Sequence, residues 1–314
     1  MNLLTDIYRA AGALRNSLFD HGILTAHRLK HPVVSIGNLS VGGAGKTPFV
    51  IALGELLKTR GIGFDVLSRG YGRSTRGVRI VERNGSPADF GDEPLLIARH
   101  LCVPVVVGES RYEAGKAAEE KFSSQLHILD DGFQHRSLAR DFDIVLVNEH
   151  DLADRLLPLG RLREPFSSLS RAAAVVLPAE SSVSHPALQG HLIWRVERQL
   201  AIPAPPAAPV VFCGIARPGQ FFAQVRAAGI VPAAEIPFRD HHRYDMADID
   251  RLLAATERHG AGGLITTEKD AINLGALQAR LNPLAIATLT LRLANSADIV
   301  DTILGTAKVG TLRS

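Results

Sequence analysis

The chain has 314 residues, with 35 Lys and Arg against 32 Asp and Glu, for a formal net charge of +3. So small an imbalance leaves no electrostatic footprint for a nucleic-acid partner. A hydrophobic content of 46% with 21% charged residues excludes a disordered chain, and the length accommodates two domains.

Cys102 and Cys213 both stand beside apolar runs, which predicts small buried hydrophobes in a reducing compartment, not a disulfide or a zinc site. The N-terminus lacks the charged start and long apolar core of a secretory signal. The uncharged run 199–216 contains Pro203, Pro205, Pro206 and Pro209, which argues against a membrane-spanning helix.

Residues 1–31 read as an amphipathic helix, with Leu3, Leu4, Ile7, Tyr8, Ala11, Leu14 and Leu18 in one stripe. Two readings stand open: a helix packed on the core, or one lying in a membrane interface.

The segment 33–57, VVSIGNLSVGGAGKTPFVIALGELL, organises the rest. A short apolar run predicts one buried strand. A glycine loop follows, and Lys46-Thr47 opens a helix with Pro48 in its tolerated first turn. Strand, glycine loop and helix N-terminus form a phosphate cradle in which backbone N–H groups converge on one anion. Gly42, Gly43, Ala44 and Gly45 are its loop. Lys46 reaches the β- and γ-phosphates, and the Thr47 hydroxyl is placed for Mg²⁺. Ser40 stands where the phosphate-loop pattern has its first glycine.

Beyond the loop, strand-like runs at 64–67, 103–107, 126–129, 144–147 and 174–177 alternate with helical stretches such as 94–101 and 112–122. This alternation predicts an α/β fold, a parallel sheet with helices on both faces, whose ligands gather at the carboxyl ends of the strands. Ser68-Arg69-Gly70-Tyr71-Gly72-Arg73 is a tight cationic loop, suited to phosphate or simply a solvated turn. In Gly91-Asp92-Glu93-Pro94, Asp92 either caps a helix or joins Glu93 as a base or metal carboxylate. Asp130-Asp131-Gly132-Phe133-Gln134-His135 closes an apolar strand with acid, the usual second half of a phosphate-loop site and a holder of Mg²⁺. The loop 157–165, PLGRLREP with its flanking leucine, is either a charge-stabilising element or a surface loop.

Residues 190–202, with alternating Leu192, Trp194 and Val196, read as a connector strand, and the Pro/Ala run 203–209 as a linker. The second half has its own α/β pattern, with strands at 210–213, 264–266 and 285–289 and a helix at 247–259. Its Phe238-Arg239-Asp240-His241-His242-Arg243-Tyr244 cluster holds an Asp-His pair able to orient a base, and Thr266-Thr267-Glu268-Lys269-Asp270 is a further candidate contact.

Taken in order, SIGNLSVGGAGKTP, SRGYGR, GDEP, DDGFQH, LREP, DHHRY and TTEKD resemble the bacterial tetraacyldisaccharide 4′-kinases, the lipid A 4′-kinases. The resemblance runs from the N-terminal helix to about residue 275. It implies transfer of the ATP γ-phosphoryl to the 4′-hydroxyl of a tetraacylated glucosamine disaccharide 1-phosphate, giving lipid IVA. It also implies a peripheral protein on the cytoplasmic face of the inner membrane, which turns residues 1–31 toward the interfacial reading. The implied fold is two α/β/α domains joined by a short β linker: helix 1–31, phosphate-loop core 32–189, linker 190–209 and a smaller α/β domain 210–314.

Carried over by motif, Asp92 accepts the hydroxyl proton, helped by His241. Lys46 and Thr47 handle phosphates and Mg²⁺. Asp130, Asp131 and Glu164, with Glu93, organise metal and phosphates, and Gln134, His135 and Arg163 lie near the transferring group. With Asp92 in one domain and His241 in the other, domain closure is expected to assemble the pair. Two other readings remain: a nucleotide-dependent switch, although Val41 stands where the deviant phosphate loops carry lysine and Asn148-Glu149-His150-Asp151 is an imperfect guanine motif; and a kinase with a soluble acceptor.

Overall fold

The computed structural model describes residues 3–307. The expected N-terminal segment 1–31 and second domain 210–314 extend over residues 1–2 and 308–314, which lie outside the described residues. The elements in order are α1 (Leu3–Asp20), β1 (Val33–Asn38), α2 (Lys46–Thr59), β2 (Phe64–Ser68), β3 (Arg79–Ile80), α3 (Pro87–Phe90), α4 (Asp92–Leu101), β4 (Val105–Val107), α5 (Arg111–Lys121), β5 (Leu126–Asp130), β6 (Phe142–Leu146) and α6 (Glu149–Leu152). Then come β7 (Ala174–Pro178), β8 (Leu192–Ala201), β9 (Val210–Cys213), α7 (Pro218–Ala227), β10 (Ala234–Pro237), α8 (Met246–Arg258), β11 (Leu264–Thr267), α9 (Glu268–Leu274), β12 (Leu284–Leu293) and α10 (Ser296–Ala307).

Among the described residues the strands join in one sheet, in the order β10-β9-β11-β12-β8-β7-β6-β1-β5-β2-β4-β3. All neighbours are parallel except β12 with β8 and β3 with β4. The inner strands are buried at every residue, as in β1, β5 and β6, because helices cover both faces. α2 buries Phe49, Val50, Leu53 and Leu57 against that sheet, the face set by its helical spacing.

β1 lies between β5 and β6, so the loop after β1 and the acidic end of β5 emerge side by side at the carboxyl edge. The connector is not a free tether: β8 is a full strand, parallel to β7 and antiparallel to β12, and it ties the two halves of the sheet together. Trp194 and Val196 on its buried face belong to the core of the first half. α10 also returns to the first half, where Ile299, Val300, Ile303 and Leu304 enter the same core. Cys213 is buried, as its strand requires, whereas Cys102 is exposed because it ends α4 in the left-handed conformation, at φ 55°.

α1 is inverted relative to an ordinary surface helix. Thr5, Tyr8, Gly12 and Asn16 turn toward the protein, while Leu3, Ile7 and Leu14 are 75%, 56% and 62% exposed. The stripe that amphipathicity would bury faces outward.

Candidate active site

A cavity of about 1070 Å³ opens where both halves meet, lined by residues of the glycine loop, the β5 end and the second half. Gly42, Gly43 and Gly45 have φ of 72°, 67° and 85°, a region that glycine enters without steric cost. A Cβ on Gly43 would fall 2.9 Å from the Arg217 side chain, so the loop backbone lies directly beneath the second half.

Lys46 donates to Asn38 Oδ1 at 2.9 Å and lies 3.3 Å from Asp131. Arg163 forks onto both oxygens of Asp131, at 3.0 and 2.8 Å, and reaches Asn38 Oδ1 at 2.5 Å. Burial works against the Asp131 charge, but Lys46 and Arg163 overcome it and hold the carboxyl well below its usual range. Its backbone sits at φ 51°. Gln134 donates to the Asn38 carbonyl at 3.1 Å, and its buried Oε1 has no partner. His135 is held down to about 4, by burial first and then by Arg111, Arg140, Arg15 and Arg69, so it is neutral at ordinary pH.

Asp130 differs from its neighbour. Its Oδ2 accepts from Ser68 at 3.0 Å, while the buried Oδ1 has no partner among the described residues. Burial, Glu93 and Asp131 push the carboxyl up, against the opposing pull of Lys46 and the Ser68 hydrogen bond. An orphaned carboxylate oxygen at the end of β5 and the Thr47 hydroxyl, both on the wall of the same cavity, fit Mg²⁺. Two of the four residues expected to hold metal are otherwise engaged. Asp131 is paired with Arg163 and Lys46, and Glu164 is absent from the cavity wall, its Oε2 taken by Arg171 at 2.8 Å and Asn16 at 3.0 Å. Among the described residues no three His, Cys, Asp or Glu side chains form a metal cage.

Asp92 and His241 are already together: His241 Nδ1 is 2.9 and 3.0 Å from the two Asp92 oxygens, and Asn273 donates to Asp92 at 3.0 Å. No domain closure is needed to form the pair. Only His241 lines the cavity; Asp92, 4% exposed, stands behind it, so the carboxylate meets an acceptor through or beside the imidazole. His241 also has a positive φ, 56°, so two site residues store backbone strain where chemistry is expected. Lys269 lies 3.2 Å from His241 Nε2 and from Asp240, and 3.5 Å from Glu93. An ammonium only donates, so Nε2 accepts and Nδ1 carries the proton given to Asp92. Burial raises the Asp92 carboxyl, but His241 and Lys269 outweigh it and bring it to about 2. Burial lowers His241, yet the Asp92 hydrogen bond leaves it above its ordinary value.

The sequence reading missed three cavity residues, Arg111, Arg198 and Arg217, and the buried Asn38 behind them. Asn38 closes β1 with a polar side chain and receives both Lys46 and Arg163. Arg111 is buried at the start of α5, with burial lowering it to about 10. Arg198 and Arg217 flank the glycine loop. The period of two in β8 carries Arg198 on the face of Trp194 and Val196, a signal that was legible. Asn148 and Asp151 do not read a base: Asp151 is fully buried and caps α6 together with Asn148.

A family profile described as tetraacyldisaccharide-1-P 4′-kinase matches residues 1–308. The chain belongs to the tetraacyldisaccharide 4′-kinase family. A family member from Koribacter versatilis is 49% identical, with 97% of this chain and 98% of that one covered. The tetraacyldisaccharide 4′-kinase of Aquifex aeolicus is 39% identical over 85% of this chain and 87% of its own. The crystal structure of LpxK from Aquifex aeolicus in complex with ATP superposes with a TM-score of 0.78 at 33% identity, covering 96% and 97% of the two chains. As a tetraacyldisaccharide 4′-kinase, the chain is an ATP-dependent phosphotransferase that phosphorylates a lipid A precursor. The expected family, activity and α/β fold hold.

Proposed function

We propose that the cavity transfers the ATP γ-phosphoryl to the 4′-hydroxyl of a tetraacylated glucosamine disaccharide 1-phosphate, with Asp92 and His241 as the proton-accepting unit. The observation that carries this reading is their direct contact at the wall of the cavity that also holds Lys46. The amides of Gly42 to Gly45 and the Lys46 ammonium bind the phosphates. Thr47 and Asp130 hold Mg²⁺, which when bound neutralises phosphate charge. Arg163, Gln134 and neutral His135 position the transferring group, and Glu93 holds Lys269 near it. As the acceptor oxygen bonds to phosphorus, its O–H bond breaks and the proton passes to the Asp92–His241 pair, while the γ-phosphorus bond to the diphosphate breaks. Arg69 and Arg111, on the same wall, give a positive field suited to the acceptor's 1-phosphate.

The outward stripe of α1 supports a peripheral position on the cytoplasmic face of the inner membrane, where a tetraacylated acceptor resides. No helix among the described residues is long and apolar enough to cross a membrane. A transfer assay with γ-labelled ATP tests the reading: label should reach the 4′-oxygen of the lipid disaccharide. Phosphate release at the same rate without acceptor would favour a nucleotide-dependent switch instead.

A further inference from the structure

The inverted amphipathicity of α1 has a counterpart on its inner side. Tyr8 donates to the Arg163 carbonyl at 3.1 Å, and Asn16 donates to Glu164 Oε2 at 3.0 Å. Arg15 donates to the Gln134 carbonyl at 3.1 Å. Arg136 returns the contact, donating to the Asn16 carbonyl at 2.9 Å and to Asp20 at 2.6 Å, with its guanidinium over Phe19. The two segments held in this way, 134–136 and 163–164, are those that lay Gln134 and Arg163 over the phosphate loop. The second is clamped on its other side by that loop, through Arg163 N to Leu39 O at 2.6 Å and Val41 N to Arg161 O at 2.8 Å.

The helix itself is lightly seated. Thr5 is its one buried residue, so polar contacts do most of the holding, each contributing about 0.5–1.5 kcal/mol net. Most of a helix's stability in a protein comes from packing one face, and α1 buries little of its own. An apolar surface that covers Leu3, Ile7 and Leu14 therefore stabilises the helix in its docked form. By linkage it also stabilises whatever that form holds in place.

We infer that α1 is a positioning element of the phosphate site: a bilayer bound to its outer stripe fixes the Arg163–Glu164 segment through the Tyr8 and Asn16 side chains and the Gln134–Arg136 segment through the Arg15 side chain, the Asn16 carbonyl and Asp20, so that the membrane raises turnover as well as delivering the lipid. This rests on the interfacial reading of α1. It also gives Glu164 its role, as the shared acceptor of Asn16 and Arg171.

The test uses the full chain and acceptor-free phosphatidylethanolamine–phosphatidylglycerol vesicles. Co-sedimentation reads docking, and amide hydrogen exchange at 134–136 and 161–164 reads coupling, with no need for catalysis. Vesicles should slow exchange in both segments by about fivefold or more and raise kcat on a deacylated, water-soluble disaccharide 1-phosphate. Tyr8→Phe and Asn16→Ala leave the outer stripe intact and should still sediment with vesicles, but lose the added protection at 161–164 and the stimulation; Arg15→Ala should lose the added protection at 134–136. Replacing Leu3, Ile7 and Leu14 with Ser should abolish sedimentation. Sedimentation with unchanged exchange in the parent chain, or full vesicle protection of 161–164 retained in Asn16→Ala, overturns the coupling alone. A parent chain that does not sediment overturns the interfacial reading and the coupling with it.

Discussion

His241 reaches across 149 residues of sequence to place Nδ1 2.9 Å from the Asp92 carboxylate. The contact joins the loop before α8 to the first residue of α4, and the antiparallel pairing of β8 with β12 holds those two halves in one sheet. The pair proposed to accept the proton is thus built into the resting fold, with Lys269 resting on the other ring nitrogen.

That arrangement fixes a pH dependence. The base form of the pair requires neutral His241, so kcat/KM should rise with pH through the His241 pKa. Because that pKa is raised, the midpoint should lie above the ordinary value of about 6.5. Lys269 lowers it, so K269M should move the midpoint to higher pH; Asp92 raises it, so D92N should move it down. A pH–rate series on the three proteins reads both signs, and opposite shifts would remove His241 from the titration.

Lys46 sits between Asn38 and Asp131, its side chain 13% exposed. K46M removes the ammonium but leaves Asp131 paired with Arg163, so the loop should stay folded. Turnover should fall by about 10²–10³, the usual cost of losing one preorganised charge donor. Thermal melting together with steady-state kinetics separates this loss from unfolding.

Of the three carboxylates read as metal ligands from sequence, Asp130 and Glu164 should now behave differently. D130N removes the orphaned oxygen at the end of β5 and should raise the Mg²⁺ concentration for half-maximal activity by about tenfold or more. E164Q should leave that concentration unchanged and cost about 1–3 kcal/mol of stability by weakening its contacts with Arg171 and Asn16. Mg²⁺ titrations and melting curves on both variants decide between the roles.

Much of this was legible because the chemistry is local. The glycine loop, the acidic end of β5 and the alternation of strands and helices each follow from short stretches, and their strands fall beside β1 as the pattern requires. What was not legible depends on non-local pairing. Nothing in PLGRLREP distinguishes Arg163, which turns into the cavity, from Glu164, which turns to α1; adjacent residues parted because the segment is held on both sides. The α1 stripe was readable from spacing, but its outward direction was not, since a period of 3.6 fixes a face without saying what it faces. Likewise, a connector with alternating apolar residues does not reveal that it becomes an interior strand until β12 pairs with it.

The most direct measurement is γ-labelled transfer to the disaccharide 1-phosphate at saturating ATP and acceptor, for D92A, H241A and the double variant. Each single change should lower kcat by about 10²–10⁴, and the double variant should lose no more than the worse single one, as groups acting as one unit require. Near-normal turnover in either single variant, or losses that multiply in the double, would contradict the pair as the proton acceptor.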